Sequence, residues 1–153
     1  MAWSKVETIL KSMLTWRGPP KMLIIHCGGN DIPTKQNGDL NFEIRQGLSN
    51  NIFNAIFYNC LSSILPRKEW RYANANDADE RTRKRVNRDV RCFLHKFNSK
   101  VIHHPDLENL HPILFKNDGV HLSYIGNDIF INALQSALEL FISTPYIKPY
   151  PES

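Results

Sequence analysis

Hydrophobic residues recur at two different spacings along this chain, and stretches with the two spacings alternate. In four stretches the apolar residues lie three and four positions apart, which places them on one face of a helix. Three shorter stretches lie between them, and in the first, 22–27, apolar residues follow one another directly, as in a strand that is covered on both faces. The pattern predicts helices over residues 3–15, 41–57, 77–98 and about 123–142, and strands over 22–27, 58–65 and 100–103.

Helices that alternate with strands in this way predict an α/β domain with a parallel sheet and right-handed crossovers. The length of 153 residues fits a single domain. We place this domain at residues 1–143 and expect residues 144–153, which include three prolines, to form a C-terminal tail. Two cap signals mark helix starts: Asp77 and Glu80 have the spacing of a capping box, and Ser123 is placed to cap the last helix.

The composition is that of an ordinary globular protein, with 42% hydrophobic and 22% charged residues, so disorder is not indicated. No apolar run reaches the ~18 residues of a membrane span, and the first residues lack the layout of a signal peptide. Cys27, Cys60 and Cys92 are an odd number without CxxC spacing, which argues against a disulfide framework. These features predict an intracellular, reducing location as the default, either cytoplasmic or in a compartment that the sequence does not identify.

Positive charge is concentrated in one segment. The formal net charge is +4, and residues 67–96 alone contain ten Lys and Arg against five Asp and Glu. Such a stripe is most often the solvated face of a helix, but it also suits contact with nucleic acid or another anionic surface. The candidate phosphate contacts are Arg81, Arg83, Lys84, Arg85, Arg88 and Arg91.

A tight turn with a side-chain amide follows the first predicted strand. Gly28 and Gly29 allow a sharp turn and close approach of a substrate, and Asn30 follows them directly. The Asn30 amide could donate to the oxyanion of a tetrahedral intermediate, a contact whose loss typically costs ~10²–10³ in rate. The alternative is an ordinary turn that ends a strand, in which Asn tolerates positive φ.

A second motif, Asp118-Gly119-Val120-His121, precedes the last predicted helix. His121 is a candidate general base because imidazole titrates near neutral pH, and Asp118 would fix its tautomer. The alternative is an ordinary turn with a capping or core histidine. Because ligands of parallel sheets bind at the carboxyl ends of the strands, we expect this loop and the Asn30 turn to meet at one edge.

Four stretches, in this order, resemble conserved parts of the SGNH (GDSL-type) hydrolases. Residues 23–31 resemble the third conserved block of the family, and residues 118–123 with Gly126 resemble the last block. Residues 62–67 and 83–87 resemble the matching strand and helix in a branch of animal SGNH-like sequences, some of them associated with retroelements. The resemblance covers about residues 3–142.

The resemblance implies a three-layer α/β sandwich with a flavodoxin-like parallel sheet, and hydrolysis of carboxylic esters through an acyl-serine intermediate without a cofactor. It makes His121 the base, Asp118 its orienting acid, and Asn30 and Gly28 parts of the oxyanion hole. The family's Gly-Asp-Ser block and its second block are absent from this sequence. We therefore expect an N-terminally truncated domain that lacks its first strands and its nucleophile, because neither Ser4 nor Ser12 has the Gly-Asp context.

This departure has two expected consequences. Loss of a nucleophile typically lowers turnover by ~10⁶ and leaves ~10³–10⁴ over water, so we expect the chain to be inactive or nearly so. The strand at 22–27 would present an open edge, which predicts marginal stability and possible self-association.

Two further interpretations stay open. The first is a non-catalytic module of retroelement origin that binds nucleic acid or protein through the basic helix 77–98. The second is a metal site, for which the spacing is unfavourable because neither HxH nor HExxH occurs, so we expect no metal. The side chains that suggest it are His103, His104, Asp106, His111 and His121.

Overall fold

Four parallel strands form one sheet in the order β1-β2-β3-β4, which matches their order in the chain. The computed structural model describes residues 2–49, 58–70, 75–97 and 99–151. The strands are β1 (Met22–Ile25), β2 (Tyr58–Ser62), β3 (Ser99–Ile102) and β4 (Pro149–Tyr150), and the helices are α1 (Val6–Arg17), α2 (Asn37–Ser49), α3 (Asn76–Leu94) and α4 (Tyr124–Ser143). Short 3₁₀ helices cover Trp3–Lys5, Pro105–Leu107 and Pro112–Leu114.

Side chains of the strands alternate between two cores, because successive residues of a strand point to opposite faces of a sheet. One core packs Leu23, Ile25, Leu61 and Val101 of the sheet against α1, α2 and α3. The other packs Met22, Ile24, Cys60 and Ile102 against α4. This three-layer α/β arrangement with a parallel sheet confirms the predicted fold class.

The helix boundaries confirm one cap signal and correct the other. Ser123 caps α4, and its Oγ accepts a hydrogen bond from the backbone N–H of Gly126 at 3.1 Å. The capping box at Asp77 and Glu80 is wrong, because α3 begins at Asn76 after an uncapped Ala75. Residues 50–57 of the predicted second helix lie outside the described residues.

The segment expected as a tail contributes β4, which pairs in parallel with β3. A buried lysine of β3, Lys100, binds the segment that leads into β4. Lys100 Nζ donates to the carbonyl oxygens of Pro145 and Ile147, each at 2.7 Å, and lies 4.6 Å from the centre of the Phe141 ring. The ammonium group therefore draws residues 145–147 onto the sheet.

Strand β1 stands at the end of the strand order, so one of its edges has no partner strand within the described ranges. Self-association through that edge stays a prediction. None of the helices among the described residues is both long and apolar enough to cross a bilayer.

Arg83 is the clearest departure from the predicted outward arginines, since its side chain is only 1% exposed. Its guanidinium donates to both carboxylate oxygens of Glu80 and both of Glu108, at 2.5 to 2.9 Å, and to the carbonyl of Ile64 at 2.9 Å. With these donors engaged, Arg83 is not available to phosphate, which corrects its place among the candidate nucleic-acid contacts. It connects α3 to the segments after β2 and β3.

Replacing Arg83 should therefore destabilise the fold. We expect Arg83→Met, which keeps the aliphatic stem, to lower the free energy of unfolding by about 2–4 kcal/mol, because Glu80 and Glu108 lose their counter-ion. Urea unfolding followed by circular dichroism measures this change. The control is Arg85→Gln, an exposed site on the same helix, where the change should stay within about 0.5 kcal/mol. Equal effects of the two substitutions would contradict the structural role given to Arg83.

Candidate active site

The turn after β1 has the geometry that its glycines predict. Gly28 has a φ of +98°, and a Cβ there would lie 3.0 Å from Ile64 Cδ1, so both conformation and space favour glycine. The turn closes with a hydrogen bond from Asp31 N to Gly28 O at 3.0 Å. Asp31 is buried, and its Oδ2 accepts from the backbone N–H of Trp3 at 2.9 Å, so it anchors the N-terminal segment.

Arg67 orients the Asn30 side chain. Its Nη2 donates to Asn30 Oδ1 at 2.9 Å, and because a guanidinium has donors only, the contacting amide atom must be the oxygen. Asn30 Nδ2 is therefore left as the donor on the other side of the amide. Gly29 makes room for this contact, since a Cβ at that position would lie 2.8 Å from Arg67 Nη2.

Asp118 and His121 form the expected pair. His121 Nδ1 lies 2.6 Å from Asp118 Oδ2, while Asp118 Oδ1 accepts from the backbone N–H groups of Val120 and His121 at 3.0 Å each. These hydrogen bonds hold the pKa of Asp118 well below its usual range, first through the backbone N–H of His121 and then through its ring. The carboxylate is thus anionic at neutral pH and keeps a proton on Nδ1, which leaves Nε2 as the basic nitrogen.

A backbone carbonyl of the His121 loop binds the segment after β2. Gly119 O accepts hydrogen bonds from Lys68 N at 2.9 Å and from Glu69 N at 3.0 Å. Gly119 has a φ of +64°, and a Cβ there would lie 3.2 Å from Glu69 N, so glycine suits this close contact. Because Lys68 directly follows Arg67, the same backbone segment holds the His121 loop and carries the side chain that orients Asn30.

Two of the four predicted site residues meet at one cavity of about 170 Å³ at the carboxyl edge of the sheet, and Asp118 reaches it only through His121. Asn30 and His121 both line it, together with Arg67, His26 and Gly29. Gly28, the other predicted oxyanion donor, is buried and is not among the lining residues, whereas its neighbour Gly29 is. The expected convergence of an amide, an imidazole and a carboxylate at one edge is therefore present in the structure.

Within the described part of the chain, no hydroxyl lies within hydrogen-bonding distance of His121 Nε2. Ser4 contributes to a different cavity, beside Trp3 and Gly47, and Ser12 is an exposed residue of α1. Neither serine is placed to act as a nucleophile for His121. The described residues also contain no group of three His, Cys, Asp or Glu side chains that could hold a metal ion.

The sequence did not reveal a chain of hydrogen bonds beneath this cavity. Ser62 Oγ lies 2.9 Å from His26 Nδ1 and 2.8 Å from His104 Nε2, and both rings contact the Phe130 ring with centroids 4.8 and 4.9 Å away. Removal from water lowers the pKa of His104 to about 3 and that of His26 to about 4, although part of the His26 side chain is exposed. Both imidazoles are therefore neutral at pH 7.

These contacts assign the protons along the chain. His104 Nδ1 is buried and has no partner among the described residues, and an orphaned N–H is rarer in folded proteins than an under-used acceptor. The proton of His104 thus belongs on Nε2, which donates to Ser62, and the Ser62 hydroxyl in turn donates to His26 Nδ1. His26 then carries its proton on Nε2, as a neutral donor on the cavity wall.

Each member of this chain sits at the carboxyl end of a different strand, His26 after β1, Ser62 at the end of β2, and His104 after β3. Their shared position at strand ends was the one signal in the sequence that could have indicated this chain of hydrogen bonds. Pairing the three requires the strand register, in which Ile25 lies opposite Leu61 and Ser62 opposite Ile102.

Comparisons with known proteins support the fold. No protein-family model matches the chain, and no curated protein matches its sequence. Among solved structures, a GDSL-like lipase from Bacteroides thetaiotaomicron has a TM-score of 0.74 at 19% identity, over 91% of this chain and 71% of the lipase. A proposed acylhydrolase from Bacteroides fragilis has a TM-score of 0.74 at 15% identity, over 91% and 70% of the two chains. At these identities the similarity establishes a shared fold.

The buried His104 predicts that acid destabilises the protein. His104 is neutral when folded, with a pKa of about 3, whereas a histidine in an unfolded chain has a pKa near 6.5. As the pH falls below about 6.5, the unfolded chain takes up a proton that the folded chain does not, so stability falls by up to about 1.4 kcal/mol per pH unit for this residue. The loss continues until the pH approaches the folded pKa, and His26 adds a smaller share because it is partly exposed.

Urea unfolding between about pH 7 and pH 4.5 measures this dependence. We expect His104→Gln to flatten the fall in stability relative to the unchanged protein. His95→Gln, at an exposed histidine, serves as the control and should leave the slope as it is. If the His104→Gln and His95→Gln variants lose stability with the same slope as the unchanged protein, the assignment of His104 as a buried neutral group is wrong.

Proposed function

We propose that the cavity between Asn30 and His121 is the ester-binding site of a GDSL-type serine hydrolase domain. One observation supports this most strongly: two polar groups far apart in sequence line the same small cavity, and each is oriented by a dedicated charged partner. The partner of Asn30 is Arg67, and that of His121 is Asp118. The GDSL-like lipase and the proposed acylhydrolase with the same fold agree with this chemistry.

His121 acts as the general base and then as the general acid. Its Nδ1 is bound to Asp118, so Nε2 accepts the proton of the attacking hydroxyl and later donates it to the leaving alkoxide. Asp118 stays anionic throughout and stabilises the imidazolium that forms in between. The attacking hydroxyl is water in the slow reaction of this chain, and in the fast reaction it is the serine that the family resemblance implies.

Three donors on the cavity wall suit a developing oxyanion. Asn30 Nδ2 is directed by the contact of Arg67 with Oδ1, and the Arg67 guanidinium adds a positive charge close by. His26 supplies a neutral Nε2–H that is held by Ser62. Preorganised donors of this kind stabilise the transition state without reorganising during the reaction.

The serine of the family is not among the described residues, so we propose that the chain shows only residual turnover. We expect hydrolysis of p-nitrophenyl acetate at no more than ~10³–10⁴ over water, and about 10⁶ below a complete triad. His121→Ala should lower the residual reaction, because Nε2 no longer takes the proton of the attacking water. Asn30→Ala should lower it by roughly 10² or more. Steady release of p-nitrophenolate measures these rates.

His95→Ala is the matched control, because this exposed histidine lies outside the cavity and should leave the rate unchanged. Adding a Gly-Asp-Ser strand to the N-terminus should raise the rate, and the gain should depend on His121. Equal loss of the residual rate in the His95 and His121 variants would show surface imidazole chemistry and overturn the proposal. If the extended protein gains no activity, this result contradicts only the role given to the serine and leaves the roles of Asn30 and His121 standing.

A further inference from the structure

A second and larger cavity, of about 450 Å³, lies between α3 and the segments after β2 and β3. It shares no lining residue with the cavity of Asn30 and His121. Four cationic side chains of α3 line it: Arg83 is buried in its ion pairs, and the exposed Lys84, Arg88 and Arg91 contribute to one wall. Their spacing of four and three residues places them along the same face of the helix.

The charges on the cavity lining are strongly unbalanced. Its only carboxylate among the described residues is Glu108, and both oxygens of Glu108 are taken by Arg83. The two nearby carboxylates outside the lining are also engaged. Glu80 binds Arg83 closely and lies 3.8 Å from Lys84. Asp89 forms an ion pair with Arg88 and also accepts a hydrogen bond from the Asn41 side chain of α2 at 3.2 Å.

Arg91 is the cation with the fewest competitors, since it makes no ion pair among the described residues. Burial lowers the pKa of His103, and the positive charge of Arg91 lowers it further, against an opposing effect of the Glu108 carboxylate. Among the described residues no carboxylate is bound to the Arg91 guanidinium, and the His103 imidazole is neutral. The cavity wall at Arg91 is therefore open to an anionic ligand.

Two neutral side chains also line this cavity. Ser63 Oγ lies 3.1 Å from His103 Nδ1, and both residues line the cavity. When the Ser63 hydroxyl donates to Nδ1, His103 carries its proton on Nε2 and presents it as a donor. Planar guanidinium groups combined with neutral N–H donors match the several acceptor oxygens of a phosphate group.

We propose that this cavity binds the phosphate group of a small phosphomonoester of nucleotide size, with Lys84, Arg88 and Arg91 as its cationic wall and the Ser63–His103 pair as its neutral donors. The concave shape and the volume suit a small ligand rather than the broad surface of a nucleic-acid duplex. The site uses none of the residues proposed for ester hydrolysis, so the two proposals fail separately.

The test measures binding of adenosine 5′-monophosphate, inorganic phosphate and adenosine by isothermal titration calorimetry at low salt. We expect adenosine 5′-monophosphate and phosphate to bind and adenosine not to bind. Arg88→Gln and Arg91→Gln should each weaken binding of the monophosphate about tenfold, the loss of one charge-assisted contact. His103→Phe should weaken it without changing the net charge of the cavity, because His103 is a neutral donor.

Arg81→Gln and Arg85→Gln are the matched controls, since both residues are exposed on the same helix and neither lines the cavity. They should change the affinity less than twofold, and circular dichroism verifies that all variants fold. If these controls weaken binding as much as the Arg88 and Arg91 variants, the helix attracts anions only through its overall charge and the site is wrong. Absence of binding by both phosphate probes would also overturn it. So would binding of a single-stranded oligonucleotide that is weakened equally by substitution of Arg81, Arg85, Arg88 or Arg91.

Discussion

The carbonyl oxygen of Gly119 is the point on which the candidate site depends. By accepting hydrogen bonds from Lys68 and Glu69, it fixes the loop that carries Asp118 and His121 to the chain just after Arg67. Arg67 in turn holds the oxygen of Asn30, so a short series of contacts runs from the imidazole loop to the amide. Without the Gly119 contact, the loop of Asp118 and His121 would lose its backbone hydrogen bonds to the segment that follows Arg67.

The segment after β2 is itself held firmly by α3, and it separates the two cavities. Asn87 accepts from Ile64 N and donates to Ile64 O, each at 2.9 Å, and Arg83 donates to the same carbonyl. Residues 64–67 line the smaller cavity, and Ser63 lines the larger one. The buried ion pairs of Arg83 therefore support both sites through one stretch of backbone.

Local patterns were enough to predict the layers of the fold, the cap at Ser123 and the pairing of Asp118 with His121, because each depends on residues close in sequence. The burial of Arg83 was not predictable, since it depends on Glu108 arriving from a distant segment. The same applies to the contact of Arg67 with Asn30 and to the chain through Ser62, which require the register of three strands. Strand β4 was missed because prolines suggest a tail, whereas Lys100 draws that segment onto the sheet.

The most direct test of the account asks whether Asn30 and His121 contact the same small carbonyl compound. Ethyl bromoacetate alkylates histidine, and peptide mass spectrometry gives the rate at each site, with the exposed Cys92 as an internal reference. If the Asn30 amide holds the ester carbonyl beside His121, alkylation of His121 should exceed that of the exposed His95 and fall roughly threefold to tenfold in Asn30→Ala, the worth of one hydrogen bond. Reaction of His121 at the rate of His95, unaffected by Asn30→Ala, would show that the two groups do not share a ligand.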